Sequence, residues 1–150
     1  MAAVNINPSA PNIICICIDD IVDGNAQGKF YNCYSKEPVY FNDICTLVIK
    51  IEDLFDKIKF PESSTKLRSF LKSETEAVGK GLEKHMKPKE VTEQKGSQAT
   101  FVVHVQYRQN ATWQGNVVWA DKNMTKNFRS ALELLKLMDQ ALNEPEATQE

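Results

Sequence analysis

An internal repeat constrains the fold of this chain more than any other feature of its sequence. Residues 13–55 align with residues 100–142 without a gap, at an offset of 87 residues. Apolar positions match at this offset, with the two-residue period of strands in one part and the helical period in the other. The identical positions are Gln27-Gly28 with Gln114-Gly115, Phe41 with Phe128, and Leu47 with Leu134. The repeat predicts a duplicated strand–strand–strand–helix unit within one pseudo-symmetric domain.

Each copy is predicted to supply three strands and one helix. The predicted strands are residues 12–21, 29–34, 39–41, 101–108, 113–119 and 125–128. An apolar stripe from Ile44 to Ile58 predicts the first helix, and a capping box at Ser130 and Glu133 begins the second. Two such units predict an α+β fold with an antiparallel sheet of up to six strands and both helices on one face of the sheet.

Composition and breaks in the pattern predict a single domain over residues 1–150. With 42% hydrophobic and 25% charged residues, the chain is long enough to bury one core. Within the polar joint that connects the repeats we expect a loop over residues 87–98. The predicted parts are a lead-in at 1–11, repeat 1 at 12–60, the polar joint at 61–98, repeat 2 at 99–143 and a frayed tail at 144–150.

Charge and hydropathy argue against several classes of partner. The 18 basic and 20 acidic residues give a net charge of −2, so the chain has no overall field that would hold a nucleic-acid backbone. No stretch approaches 18 consecutive apolar residues, and the first residues lack the charged-then-apolar order of a secretory signal. We therefore expect a cytoplasmic protein without a nucleic-acid or membrane partner.

Residue types that carry catalysis or hold metals are scarce. The four cysteines all lie in repeat 1 without the spacing of a zinc site, and we expect buried, reduced thiols. His85 and His104 are the only histidines, and neither has a partner at a useful spacing. Asp19, Asp20 and Asp23 are candidate cation ligands, but repeat 2 has no carboxylate at the matching positions, which favours a solvated strand end. We predict no catalytic residue, metal site or cofactor, and a protein that is not an enzyme.

The predicted sheet face opposite the helices mixes apolar and polar residues. Its predicted residues are Cys15, Cys17, Val102 and Val118 beside His104, Gln106 and Arg108. An apolar patch of this kind is normally covered, and a second copy of the chain is the simplest cover. The pattern therefore predicts a homodimer.

The differences between the two copies indicate a ligand site. Repeat 2 has Arg108, Arg129, Trp113 and Trp119 at positions where repeat 1 has neither residue type. Guanidinium groups bind phosphates and carboxylates, and an indole ring offers a stacking surface. Backbone N–H groups at the start of the second helix would favour an anion beside Arg129. The alternatives are that both tryptophans belong to the core and that both arginines lie on the surface.

The Gln-Gly pair that both copies retain is a second candidate element of that site. A glycine inside a strand marks a bulge or a close approach of another backbone or a ligand. If a ligand approaches Gly28 and Gly115, the amides of Gln27 and Gln114 would lie beside it. The alternative is that the two glycines allow tight packing of the sheet against a helix.

These patterns predict a non-catalytic protein that binds a small anionic aromatic molecule, such as a nucleotide-derived signal, as a sensor or a sequestering sponge. The predicted ligand residues are Arg108, Trp113, Gln114, Gly115, Arg129, Gln27 and Gly28. The alternative is a protein-interaction or regulatory module that acts through the open sheet face or the 61–98 joint. The first interpretation requires Trp113 and Arg129 to line a concavity. The second requires Cys17, Val102 and Val118 to form a patch that is exposed or buried in a dimer.

Overall fold

The structure, a computed structural model, describes residues 12–58, 86–109 and 112–143. The elements are β1 (Ile13–Val22), β2 (Asn25–Asn32), β3 (Ser35–Phe41), α1 (Ile44–Ile58), α2 (Pro88–Thr92), β4 (Ala99–Tyr107), β5 (Gln114–Trp119), β6 (Met124–Phe128) and α3 (Ala131–Leu142). The predicted lead-in, the predicted tail, most of the polar joint and His85 lie outside the described residues.

The six strands form one antiparallel sheet in the order β3-β2-β1-β4-β5-β6. The predictions of an α+β fold and of a six-stranded antiparallel sheet are therefore confirmed. The two longest strands, β1 and β4, pair in the centre from Ile13 opposite His104 to Ile18 opposite Ala99. Residues 13–18 are all at most 1% exposed, which explains why β1 reads as a continuous apolar run rather than as an alternation.

One hydrophobic cluster joins alternate residues of the central strands to the apolar stripes of α1 and α3. The helices contribute Leu47, Ile51, Phe55, Leu134 and Met138, and the central strands contribute Ile14, Ile16, Ile18, Phe101, Val103 and Val105. A carboxylate and a hydroxyl cap the two helices: Oδ1 of Asp43 accepts from the N–H of Thr46 (2.7 Å), and Oγ of Ser130 accepts from the N–H of Glu133 (3.0 Å).

A second hydrophobic cluster is formed by the strand residues that alternate with those of the first cluster, together with a residue of α2. Val91 of α2 is fully buried there. The cluster contains Ile13, Cys15, Cys17, Cys33, Val91, Val102 and Val118, with Met86, Tyr31 and Tyr34 packed against it. The prediction of a loop over residues 87–98 is therefore wrong for Pro88–Thr92. A helix of five residues with one buried side chain carries no apolar stripe that periodicity could detect.

This cover removes the reason for expecting an exposed patch. Cys17, Val102 and Val118 are at most 5% exposed within a single chain. The requirement of the interaction hypothesis, an apolar patch that only a partner could bury, is therefore not met at these residues. The homodimer stays a prediction.

The register of the sheet is interrupted at three places, one of which lies between β2 and β3, between Phe30 and Asn32. The other two are β-bulges on the central strands. The register between β1 and β2 shifts between Ile18 and Asp20, and the register between β4 and β5 shifts between Val105 and Tyr107. A bulge adds one residue to a strand and reverses the alternation beyond it. The prediction that Arg108 shares a face with Val102 is wrong for this reason, because Arg108 lies beyond the bulge and contacts α1.

Among the described residues, no helix is long and apolar enough to cross a membrane.

The burial of the thiols predicts their reactivity. Cys15, Cys17 and Cys33 are buried, whereas Cys45 is exposed, so the prediction of buried thiols is wrong for Cys45. A hydrogen bond to Cys17, together with burial, also raises the pKa of Cys15, so its reactive thiolate is disfavoured. We expect one thiol to react promptly with Ellman's reagent in the native protein and the other three only on unfolding. Cys45→Ser should abolish the prompt reaction, and a prompt reaction that persists in this variant would contradict the buried cluster.

Candidate functional site

Arg108 and Trp113 form a buried polar cluster with α1. Both residues are 3% exposed. Nη1 of Arg108 donates to Oε2 of Glu52 (3.0 Å) and to Oδ1 of Asp56 (2.9 Å), while Nε1 of Trp113 donates to Oε1 of Glu52 (2.7 Å). The ring of Phe55 lies between the two, with its centroid 5.6 Å from Cζ of Arg108 and 5.8 Å from the indole centroid in an edge-on arrangement.

These contacts assign Arg108 and Trp113 a structural role. Each carboxylate oxygen named above already accepts a charged or indole N–H, so the cluster joins α1 to the start of β5 without a ligand. The aromatic contacts with Phe55 add packing that a bound molecule would have to replace. The ligand hypothesis required Trp113 and Arg129 to line one concavity, but the depression that Arg129 lines does not include Trp113 among its described residues.

Arg129 and the start of α3 are likewise occupied by the protein's own groups. The Arg129 side chain is 89% exposed and pairs with Glu133 across 3.3 Å. Oε1 of Glu133 accepts from the backbone N–H of Arg129 (2.7 Å), and Oγ1 of Thr112 accepts from the N–H of Ala131 (2.8 Å). The predicted capping box is therefore only half formed, since the Glu133 carboxylate reaches the residue before the Ser130 cap. Its hydrogen bonds from Arg129 lower the pKa of Glu133, so an anionic ligand would meet a carboxylate here.

The two Gln-Gly pairs are explained by the neighbouring strands. A Cβ atom at Gly28 would lie 1.9 Å from the carbonyl oxygen of Cys17, and one at Gly115 would lie 2.0 Å from that of His104. The close neighbour is thus the backbone of the adjacent strand at each bulge, rather than a helix or a ligand. The Gln114 amide closes a local loop, accepting from the N–H of Gln109 (3.0 Å) and donating to its carbonyl (3.0 Å).

The seven predicted residues do not form one site. Gly28 lies opposite Ile18 and Gly115 lies opposite Val105, at opposite ends of the central strand pair. Six residues of β4 separate the two levels, which is roughly 20 Å at the rise of an antiparallel strand. Gln27 and Gln114 therefore cannot hold the same small molecule. The structure brings together Arg108 with Trp113, and Gln114 with Arg129, whose carbonyl accepts from Nε2 of Gln114 (3.4 Å).

A cleft between α3 and the strands β4 to β6 is the better candidate site. We call it the α3 cleft, and its volume is about 140 Å³. Its lining residues are Phe101, Val117, Trp119, Met124, Lys126, Leu137, Met138, Gln140 and Ala141. The indole of Trp119 stacks on Phe101 with centroids 6.5 Å apart and an interplanar angle of 25°. Its Nε1 atom is buried and has no hydrogen-bond partner among the described residues.

Positive charge lies beside this apolar surface. Lys126 is a lining residue, and Nζ of Lys122 lies 5.9 Å from the centroid of the Trp119 ring. The described residues that line the cleft include no carboxylate. Comparison of the two repeats identified Trp119 as a difference, because repeat 1 has Asn32 at the matching position. Lys126 and Gln140 carried no such signal, because only folding brings β6 and the end of α3 together.

Two further candidate groups from the sequence, Asp19 and His104, lie outside the Arg108–Trp113 cluster and the α3 cleft. Oδ2 of Asp19 accepts from Nζ of Lys29 (2.6 Å) and its Oδ1 accepts from the N–H of Ser97 (3.0 Å), so this predicted strand-end carboxylate holds the chain together. Burial lowers the pKa of His104, which favours the neutral imidazole. No group of three or more His, Cys, Asp or Glu residues within the described ranges is placed to hold a metal ion.

Comparisons of the chain with protein-family models, with curated protein sequences and with solved structures gave no match.

The two candidate arginines should respond differently to the same substitution. Arg108→Met should lower the free energy of unfolding by about 2 kcal/mol, because it removes charge-assisted hydrogen bonds from a buried guanidinium to two more exposed carboxylates. Arg129→Met is the matched control and should leave stability within error, because its ion pair is exposed. Urea unfolding followed by circular dichroism measures both. Equal effects of the two substitutions would contradict the structural role of Arg108.

Proposed function

We propose that the protein is a non-catalytic binding protein that takes a small anionic aromatic molecule into the α3 cleft. The observation that carries the proposal is the buried indole N–H of Trp119, which lacks an acceptor within the described part of the chain. Leaving a buried donor unsatisfied costs about 1–3 kcal/mol, and an acceptor on a ligand would recover this free energy. A ligand that displaces the groups covering this atom and places an oxygen there would therefore be favoured.

The shape of the cleft supports an aromatic ligand. The indole of Trp119 is a flat wall, and Met124 and Met138 are flexible, polarizable neighbours that adapt to a ring. A volume of about 140 Å³ is close to that of the engineered apolar cavity of about 150 Å³ that binds benzene. A single ring fits this volume, so a nucleotide would insert only its base and leave the sugar and phosphate outside.

The charge around the cleft supports an anion. Lys126 lies in the lining and Nζ of Lys122 lies 5.9 Å from the centroid of the Trp119 ring, so two lysines add positive charge near a bound carboxylate. An acidic ring substituent can thus accept from the indole N–H or pair with a lysine. With this chemistry the protein would act as a sensor or as a sequestering sponge for its ligand.

We also propose that the scaffold is an internal duplication with α1 and α3 on one face of the sheet. The two helices start 87 residues apart, at Ile44 and Ala131. The two bulges and the two glycines beneath a neighbouring carbonyl share this offset. Buried residues of both helices belong to one cluster with the same alternate residues of β1 and β4, which supports a common face.

Ligand binding can be tested with single-ring carboxylates such as benzoate and phenylacetate, each beside its neutral amide. We expect the carboxylates to raise the melting temperature and to change the tryptophan fluorescence. Binding at a hundred times the dissociation constant should add about 2.7 kcal/mol to the free energy of unfolding. Trp119→Phe keeps a ring but removes the N–H, so it should weaken carboxylate binding roughly tenfold.

Matched variants separate this site from general effects. Trp113→Phe also removes an indole N–H, but one that is bonded to Glu52, so it should lower stability and leave affinity unchanged. Lys126→Met should reduce the preference for each carboxylate over its amide. Binding that Trp119→Phe leaves intact, or a panel without any shift in melting, would overturn the proposal.

A further inference from the structure

A second cleft lies between α1 and the strands β2 and β3, and we call it the α1 cleft. Its volume is about 320 Å³, within the range of small-molecule pockets. Six of its nine lining positions lie 87 residues before lining positions of the α3 cleft, including Phe30 before Val117 and Leu54 before Ala141. The two clefts thus lie at matching positions of the two units. This indicates that each unit forms a cleft between its helix and its outer strands.

The chemistry of the α1 cleft differs at the positions that would touch a ligand. Asn32 stands where the α3 cleft has Trp119, Lys50 stands where it has Leu137, and Asp53 stands where it has Gln140. An aromatic wall is thus exchanged for an amide, and apolar or neutral helix residues are exchanged for charged ones. The α1 cleft therefore carries charged side chains on its helix side where the α3 cleft has Leu137 and Gln140, while Val39 stands where the α3 cleft has Lys126.

Three charged residues of α1 line one side of this cleft. Lys50, Asp53 and Lys57 follow the i, i+3, i+7 spacing that places side chains on one helix face. Nζ of Lys50 donates to the carbonyl of Tyr40 (2.9 Å), which holds this ammonium near β3 and leaves its other N–H groups for a ligand. The two lysines and one aspartate give the lining a net positive charge, which attracts an anion.

Asn32 supplies a fixed polar group in the cleft wall. Its side chain is almost wholly buried, and its Oδ1 accepts from the backbone N–H of Tyr34 (2.7 Å). Because the oxygen is committed to the backbone, the amide N–H₂ is the part of the side chain that can donate to a ligand. A ligand oxygen on this side, and a ligand hydroxyl that donates to Asp53, would both be satisfied.

We propose that the α1 cleft binds a phosphorylated, hydroxyl-bearing small molecule. The phosphate pairs with Lys50 and Lys57, and the hydroxyl groups bond to Asp53 and Asn32. This site is separate from the α3 cleft, because the two clefts share no lining residue and contact different helices. The duplicated unit would then carry two sites of different selectivity, one for a small aromatic anion and one for a hydrophilic phosphate.

Isothermal titration of the full chain with ribose 5-phosphate, ribose and inorganic phosphate tests the proposal. We expect ribose 5-phosphate to bind more tightly than either part, with an affinity that falls as salt is raised. Lys50→Met and Lys57→Met should each weaken binding roughly tenfold through loss of a charge-assisted contact. Lys89→Met removes a lysine of α2 outside both clefts and should change nothing.

Two further variants distinguish this site from the α3 cleft and from simple anion attraction. Asp53→Asn should reduce the advantage of ribose 5-phosphate over inorganic phosphate, because the hydroxyl acceptor is weakened. Trp119→Phe should leave ribose 5-phosphate binding unchanged even where it abolishes carboxylate binding. Absence of binding, equal binding of inorganic phosphate and ribose 5-phosphate, or an equal loss with Lys89→Met would overturn the proposal.

Discussion

The antiparallel pairing of β1 with β4 is the constraint on which the rest of the structure depends. Both strands run through the centre of the sheet, and Ile13–Ile18 are buried on both faces. A sheet with such a centre needs cover on each side, because exposure of either face would leave isoleucine, valine and cysteine side chains in water. Buried residues of α1 and α3 pack in one cluster with alternate residues of these strands. Met86 and Val91, from the segment between α1 and β4, pack in a second cluster with the residues that alternate with the first set.

Much of the fold could be predicted because apolar residues recur every two positions in strands and every three to four positions in amphipathic helices. The turn between β1 and β2 also has residue types suited to its geometry, since Asp23 and Gly24 adopt positive φ, at 53° and 81°. The short helix α2 could not be predicted, since its one buried residue, Val91, gives no period. The side on which Arg108 lies could not be predicted either. A bulge depends on how two strands pair. The sequence of β4 alone therefore does not show where its register with β5 shifts by one residue.

The candidate site was harder to predict because its partners are distant in the sequence. Arg108 and Trp113 had the chemistry expected of a ligand site, yet their acceptor is Glu52 on the other helix, more than fifty residues away. Arginine binds a carboxylate of the protein and a carboxylate of a ligand through the same hydrogen bonds. Only the fold shows which of the two partners Arg108 has. Comparison of the copies did mark Trp119, but its importance depends on the cleft that α3 completes above it.

The proposed duplication explains why ligand chemistry would appear in the clefts rather than in the core. Phe41 with Phe128 and Leu47 with Leu134 are identical pairs, and all four residues are at most 2% exposed in the shared cluster. Close packing restricts such positions, because a change in volume at either member costs stability. Other positions in the cleft walls differ between the copies: Asn32 with Trp119, and Lys50 with Leu137, differ in size, charge and polarity. A scaffold repeated in this way can keep the core residues that also form cleft walls, such as Phe30, Phe101 and Met138, while each cleft acquires its own ligand through substitutions at the remaining wall positions.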